Sequence, residues 1–145
     1  GSWLQVVSQM IGSRGKIIGV DITPIKFRAP NVTTLEMDIL HSDSAKKLEA
    51  FGLFDIVLSD LAPKTSGIKT RDQALSLELD QQVINLAQNL LKPGGAIIIK
   101  IFQSPDMHHF IKQIETMFSF VHVYKPQASR DRSFETYLIG LDKID

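Results

Sequence analysis

Cysteine is absent from the 145 residues, which excludes disulfides, thiolate metal sites and a cysteine nucleophile. Net charge is absent too, because sixteen basic and sixteen acidic residues cancel. A chain so balanced does not coat nucleic acid by bulk electrostatics, so any such contact needs a local basic patch. No apolar run approaches the roughly 20 residues of a membrane span, and no signal peptide is visible. A cytoplasmic protein without membrane contact is expected. The phosphate-cradling G-x-G-x-x-G is missing, and His41, His108, His109 and His122 lack metal-ligand spacing, so no metal site is expected.

Hydrophobic residues make up 43%, enough to bury a real core in one domain of this length. Helical and strand patterns alternate along the chain, which argues for an α/β fold with a mostly parallel sheet. Residues 2–11 read as a helix, with Trp3, Val6, Val7 and Met10 at helical spacing and Gly12 able to end it. Residues 16–21 and 31–37 read as strands followed or closed by the acids Asp21 and Asp38. A short helix over 44–51 precedes a strand over 54–59.

A loop over 61–70 leads into a long helix from about Arg71 to Leu91, whose expected inner face carries Leu75, Leu79, Val83, Leu86 and Leu90. Lys92-Pro93-Gly94-Gly95 reads as the turn into a strand over 97–102. An amphipathic helix over 106–118, with Asp106 as its N-cap, precedes strands over 120–124 and 135–141. No repeat or domain boundary is visible, so residues 1–145 are expected to form one domain. The chain opens on Gly1-Ser2-Trp3 with no strand before it, although in open α/β folds such a glycine follows the first strand. That strand is expected upstream, making the domain N-terminally incomplete.

Chemistry concentrates at strand ends. Ile97-Ile98-Ile99-Lys100-Ile101-Phe102-Gln103 is a buried-strand pattern interrupted by an ammonium, expensive there unless paired or working. Burial favours the neutral amine and nearby carboxylates favour the ammonium, so the sequence leaves its protonation open. Phe54 to Ser59 has the same form and ends in Asp60, where Pro63 stiffens the departing loop. Glu135 falls on the same strand face as Tyr137. Gly1 with Asp21 twenty residues later fits a glycine turn plus a ribose-binding acid. Asp38 suits an adenine amino group, or a cap on the segment that follows. Lys64, Lys69 and Arg71 form one basic cluster; Lys125, Arg130 and Arg132 form another. The plain alternative for each is a salt bridge, a cap or a solvated loop.

Together these segments resemble the FtsJ/RrmJ family of S-adenosylmethionine-dependent RNA ribose 2′-O-methyltransferases. The resemblance rests on Gly1-Ser2-Trp3, Gly19-Val20-Asp21, Met37-Asp38, Leu58-Ser59-Asp60-Leu61-Ala62-Pro63, Leu91-Lys92-Pro93-Gly94-Gly95, Ile99-Lys100-Ile101-Phe102-Gln103, Lys125-Pro126, Ser129-Arg130 and Ser133-Phe134-Glu135-Thr136-Tyr137. It implies a Rossmann-like methyltransferase fold, mostly parallel with helices on both faces, and S-adenosyl-L-methionine as cofactor. It further implies Gly1 and Trp3 in the cofactor turn, Asp21 at the ribose, Asp38 at the adenine, and Asp60 beside the methionine end. Asp60, Lys100 and Glu135 match the last three members of the family's Lys-Asp-Lys-Glu catalytic group; the first lysine is expected upstream.

The implied activity is 2′-O-methylation of RNA, foremost a uridine of large-subunit ribosomal RNA, by a monomer whose two basic loops flank the site. A tRNA methyltransferase of the same family and a non-catalytic cofactor- or RNA-binding remnant are the alternatives kept. A nicotinamide-dependent oxidoreductase would leave the Lys-x-Phe-Gln strand without a role.

Overall fold

The computed structural model describes residues 2–127 and 135–145, and the chain separates into two compact units, residues 1–44 and 45–145. In the first unit, helix α1 (Ser2–Ile11) leads to strands β1 (Ile17–Asp21) and β2 (Val32–Glu36), which pair in parallel from Ile17 opposite Val32 to Asp21 opposite Glu36. The inner side of α1 differs from the expected stripe. Trp3, Leu4, Val7 and Ser8 are half-buried, whereas Val6 and Met10 are 54% and 79% exposed.

Gly19 makes that packing feasible, since a Cβ there would lie 2.6 Å from Leu4 Cδ1. Asn31 ties the unit together. Its side-chain amide donates to Gly12 O at 2.9 Å, its carbonyl accepts from Ser8 Oγ at 2.8 Å, and its backbone oxygen accepts from Ile17 N at 2.9 Å.

Helix α2 (Ser44–Glu49) starts on the last residue of the first unit, and in the second unit β3 (Phe54–Ser59), α3 (Lys69–Leu90), β4 (Leu91–Phe102), α4 (Met107–Met117), β5 (Phe118–Tyr124) and β6 (Glu135–Lys143) follow in order. The sheet order is β3-β4-β6-β5. The α/β class is as expected, but the pairing is mixed: β3–β4 is parallel, and β6 runs antiparallel to both β4 and β5. The reason is connection length. The ten residues between Tyr124 and Glu135 fall short of the dozen or so that a parallel crossover needs, so β6 returns antiparallel between its neighbours.

Lys92 to Gly95 lie inside β4 rather than in a separate turn. They form an irregularity where the register against β3 jumps from Phe54–Leu91 to Ile56–Ala96, with Gly94 at φ 80°. That positive φ favours glycine over any residue with a Cβ. At α4 the N-cap position is Asp106 as expected, but its backbone is helical (φ −77°, ψ −15°) and its carboxylate makes no capping bond.

Side chains alternate across the sheet, and residues paired opposite one another share a face. Ile97, Ile99, Ile101 and Leu138 point to one face and are at most 1% exposed. The buried residues of α3 (Val83, Ile84, Leu86, Ala87, Leu90) and of α4 (Phe110, Ile114, Met117) supply the layer covering it. Each such isoleucine contributes about 2–3 kcal/mol of burial. The opposite face carries Ile98, Lys100 and Phe102 of β4 with Glu135, Tyr137 and Ile139 of β6.

Candidate active site

Three neighbouring strands deliver three charged groups to one place. Ser59 pairs with Ile99, so Asp60, the next residue along, leaves β3 on the Lys100 face. Glu135 pairs with Phe102, and Tyr137 lies directly opposite Lys100. Lys100 Nζ stands 3.1 Å from Asp60 Oδ1 and 3.9 Å from Glu135 Oε1. The first is a charge-assisted hydrogen bond and the second an ion pair at longer range. The lysine side chain is only 10% exposed, whereas both carboxylates are 43% exposed. The ammonium is therefore held by the sheet while its partners open to solvent. Nζ also lies 5.9 Å from the centroid of the Phe102 ring, within cation–π range.

Tyr137 completes the environment. Burial pushes its hydroxyl above the ordinary tyrosine range, the negative charges of Asp60 and Glu135 push it further, and Lys100 opposes them. Its phenol thus remains a neutral donor beside the charged trio at neutral pH.

The first unit holds the other candidate carboxylates. Asp21 ends β1 and Asp38 stands just beyond the end of its partner strand, with Met37 N donating to Asp21 O at 2.8 Å. Each closes a local turn with Oδ1 alone. Asp21 accepts from Thr23 N at 3.0 Å and Thr23 Oγ1 at 3.1 Å, and Asp38 accepts from Leu40 N at 2.9 Å. The capping alternative for Asp38 is therefore realised by one oxygen. In both residues Oδ2 has no partner among the described residues. Two adjacent acceptors of this kind fit the hydroxyls of a ribose and the amino group of a base. Trp3 lies in the first turn of α1 on its half-buried side, and Gly1 lies outside the described residues.

Of the basic clusters, Lys64, Lys69, Arg71 and Lys125 are exposed, while Arg130 and Arg132 lie outside the described residues. Lys69 belongs to the first turn of α3 rather than to the loop, and Arg71 lies on that helix as expected. The segment entering that helix is pinned by Asp72, whose Oδ1 accepts from Ser66 N at 2.8 Å and Ser66 Oγ at 2.7 Å. Those bonds hold the Asp72 carboxyl below its usual range.

One residue escaped the sequence reading. The buried stripe of α3 runs through Ser76, Asp80, Val83, Ala87 and Leu90, while Leu75 and Leu79 are only half-buried. Asp80 is 3% exposed, and burial pushes its carboxyl up to about 7 against the opposing field of Lys100. Its i+4, i+3, i+4, i+3 spacing with the stripe was a visible signal, concealed because an aspartate does not count as apolar.

Among the described residues, no helix is long and apolar enough to cross a membrane. The FtsJ-like methyltransferase profile matches residues 1–143. The chain is 42% identical over 144 residues to ribosomal RNA large subunit methyltransferase E of Myxococcus xanthus, covering 97% of this chain and 68% of that protein. It is 42% identical over 145 residues to the Azoarcus protein of the same name, covering 98% and 70%.

A Plasmodium falciparum protein assigned as a ribosomal RNA methyltransferase superposes with a TM-score of 0.83 at 27% identity, covering 99% of this chain and 81% of that one. A Streptococcus mutans protein assigned as a methyltransferase and solved with SAH shares the fold alone, with a TM-score of 0.57 at 13% identity over 97% of this chain and 78% of that one. With the profile spanning nearly its whole length, the chain belongs to the FtsJ-like methyltransferase family.

Proposed function

We propose that the protein transfers a methyl group from S-adenosyl-L-methionine to a ribose 2′-oxygen of RNA, foremost a uridine of large-subunit ribosomal RNA in the cytoplasm. The observation that carries this reading is the nearly buried Lys100 between Asp60 and Glu135 at the ends of neighbouring strands. The names of the bacterial relatives supply the substrate class.

Bound S-adenosylmethionine supplies a methyl carbon on a sulfonium, open to in-line attack by oxygen. Asp21 holds the ribose hydroxyls of the cofactor, Asp38 accepts from its adenine amino group, and Asp60 borders its methionine end. Gly1 and Trp3 are assigned to the cofactor as well, Trp3 from the first turn of α1. Lys100 hydrogen-bonds the attacking hydroxyl and fixes its oxygen for displacement.

The ammonium cannot accept a further proton, so removal of the hydroxyl proton is coupled to loss of one already on Nζ. Asp60 Oδ1, 3.1 Å away, is the acceptor in line for it. The hydroxyl proton then passes to Nζ, so one proton moves out of the ribose and one onto the carboxylate. Glu135, farther off at 3.9 Å, keeps the ammonium oriented. Lys64, Lys69, Arg71 and Lys125 contact RNA phosphates.

Transfer of tritium from labelled S-adenosylmethionine to large-subunit ribosomal RNA, by the full-length protein, tests this. Lys100→Ala is expected to lower the rate by about 10²–10⁴-fold, the usual worth of a positioned acid–base group. Undiminished transfer in that variant would remove Lys100 from the mechanism.

A further inference from the structure

A row of side chains runs across the sheet from Lys100 to the open edge. Lys100 of β4 pairs with Tyr137 of β6, and Tyr137 pairs in turn with Tyr124 of β5. Residues paired opposite one another share a face, so all three side chains stand on the side of the sheet that carries Glu135. Neighbouring strands lie about 4.8 Å apart, which sets the Cα of Tyr124 roughly 10 Å from that of Lys100. Exposure rises along the row. The lysine side chain is 10% exposed, Tyr137 is half-buried and Tyr124 is 48% exposed. Tyr124 ends β5, the outermost strand, and Lys125 just beyond it is exposed.

A lone exposed tyrosine on an edge strand needs no explanation, but the position of this one is informative. In the strand order β3-β4-β6-β5, Asp60 leaves β3 on one side of Lys100, and Tyr124 stands on the other. The row therefore leads away from the carboxylate that borders the cofactor, toward the side left for the methyl acceptor. Lys100 is recessed in the sheet, so a ribose hydroxyl reaches it from a nucleotide drawn out of its helical stack. Such a nucleotide loses the neighbours on which its base rested. A flat ring open to solvent replaces them, because every base has a face that stacks on an aromatic side chain.

We propose that the Tyr124 ring is a stacking platform for a base of the substrate RNA, either that of the reacting nucleotide or that of its immediate neighbour. Lys125 meets a phosphate beside it. The ring carries no charge and reads no base edge, so it supplies affinity and placement and leaves base identity to other groups. This subsite rests on the function proposed above.

The test uses the full-length protein and large-subunit ribosomal RNA. Tyr124→Ala is expected to raise KM for RNA by about 5–150-fold, the equivalent of one lost base–aromatic stack. The loss should appear in KM rather than kcat, since stacking holds the ground state and the transition state alike. Tyr124→Phe keeps the ring and should recover the affinity. Phe120→Ala removes a ring that is 67% exposed on the same face but about 14 Å back along β5, and should leave KM for RNA at its wild-type value.

Equilibrium binding over a range of salt concentrations adds a readout that needs no turnover. A neutral ring releases no counterions, so Tyr124→Ala should weaken binding with the slope of log affinity against log salt unchanged. Lys125→Ala should instead reduce that slope by about 0.7–0.9. Unchanged KM and affinity in Tyr124→Ala overturn the platform while methyl transfer stands. A loss that Tyr124→Phe fails to recover, or that Phe120→Ala reproduces, also overturns it, because a stacked ring is then not the cause. A wild-type protein that neither binds nor methylates this RNA removes the proposed function and the platform with it.

Discussion

Asp80 sits at 3% exposure with its carboxyl raised to about 7, whereas an aspartate in the unfolded chain gives up its proton near 3.8. Between those values the unfolded state is ionised and the folded state is not, so folding takes up a proton. Stability is then fully present below about pH 4 and declines as pH rises toward 7, the reverse of an ordinary salt-bridged aspartate. The shift corresponds to roughly 4 kcal/mol lost across that window. Asp80→Asn should abolish this loss. Urea unfolding at pH 5 and pH 8 checks it, and equal pH dependence in the two proteins would contradict the assignment. Lys100 was legible in the sequence because a charge within a β-branched run is conspicuous. Asp80 was not, because one acid on a helix is ordinary until the opposite face is known.

At the scale of elements, β6 packs so closely that its one glycine has no room to grow. A Cβ on Gly140 would stand 2.7 Å from two ring atoms of Phe118 and 3.0 Å from Ile97 Cγ2. The ring is rigid and 2% exposed, so Gly140→Ala forces a shift in the core. A loss of about 1–3 kcal/mol is expected from overpacking, measurable by thermal or urea unfolding; an unchanged midpoint would mean that β5 yields freely. The existence and type of the elements followed from periodicity and turn residues, and most boundaries fell within two residues. Pairing did not. Side-chain alternation records which way a residue points, not which strand lies beside it, so the insertion of β6 between β4 and β5 left no mark on the local pattern. The missing cap at Asp106 has a similar origin, since residue type alone does not reveal that the backbone there is helical and not the extended form a capping residue adopts.

For the molecule as a whole, charge neutrality limits how RNA is held. With sixteen basic residues balanced by sixteen acidic ones, the proposed attraction is local, through basic residues such as Lys64, Lys69, Arg71 and Lys125, rather than from a general field. Removing one phosphate contact should therefore reduce the slope of log affinity against log salt by about 0.7–0.9. Binding of Lys69→Ala and Arg71→Ala to ribosomal RNA over a range of salt concentrations measures this; unchanged slopes would place the RNA elsewhere. The family was legible because its specific pieces, Ser59-Asp60-Leu61-Ala62-Pro63 and Lys100-Ile101-Phe102-Gln103, are short and chemically unusual. The strand order has a further consequence in time. Synthesis delivers β3, β4 and β5 first, yet β4 and β5 meet only through β6. Until Glu135 to Lys143 leave the ribosome, β5 has no strand to join, and Lys100 lacks Glu135 and Tyr137 beside it. The nascent chain thus carries an open hydrogen-bonding edge on β4 until β6 emerges. Pairing of β6 with β4 sets Glu135 and Tyr137 beside Lys100 and gives β5 its neighbour.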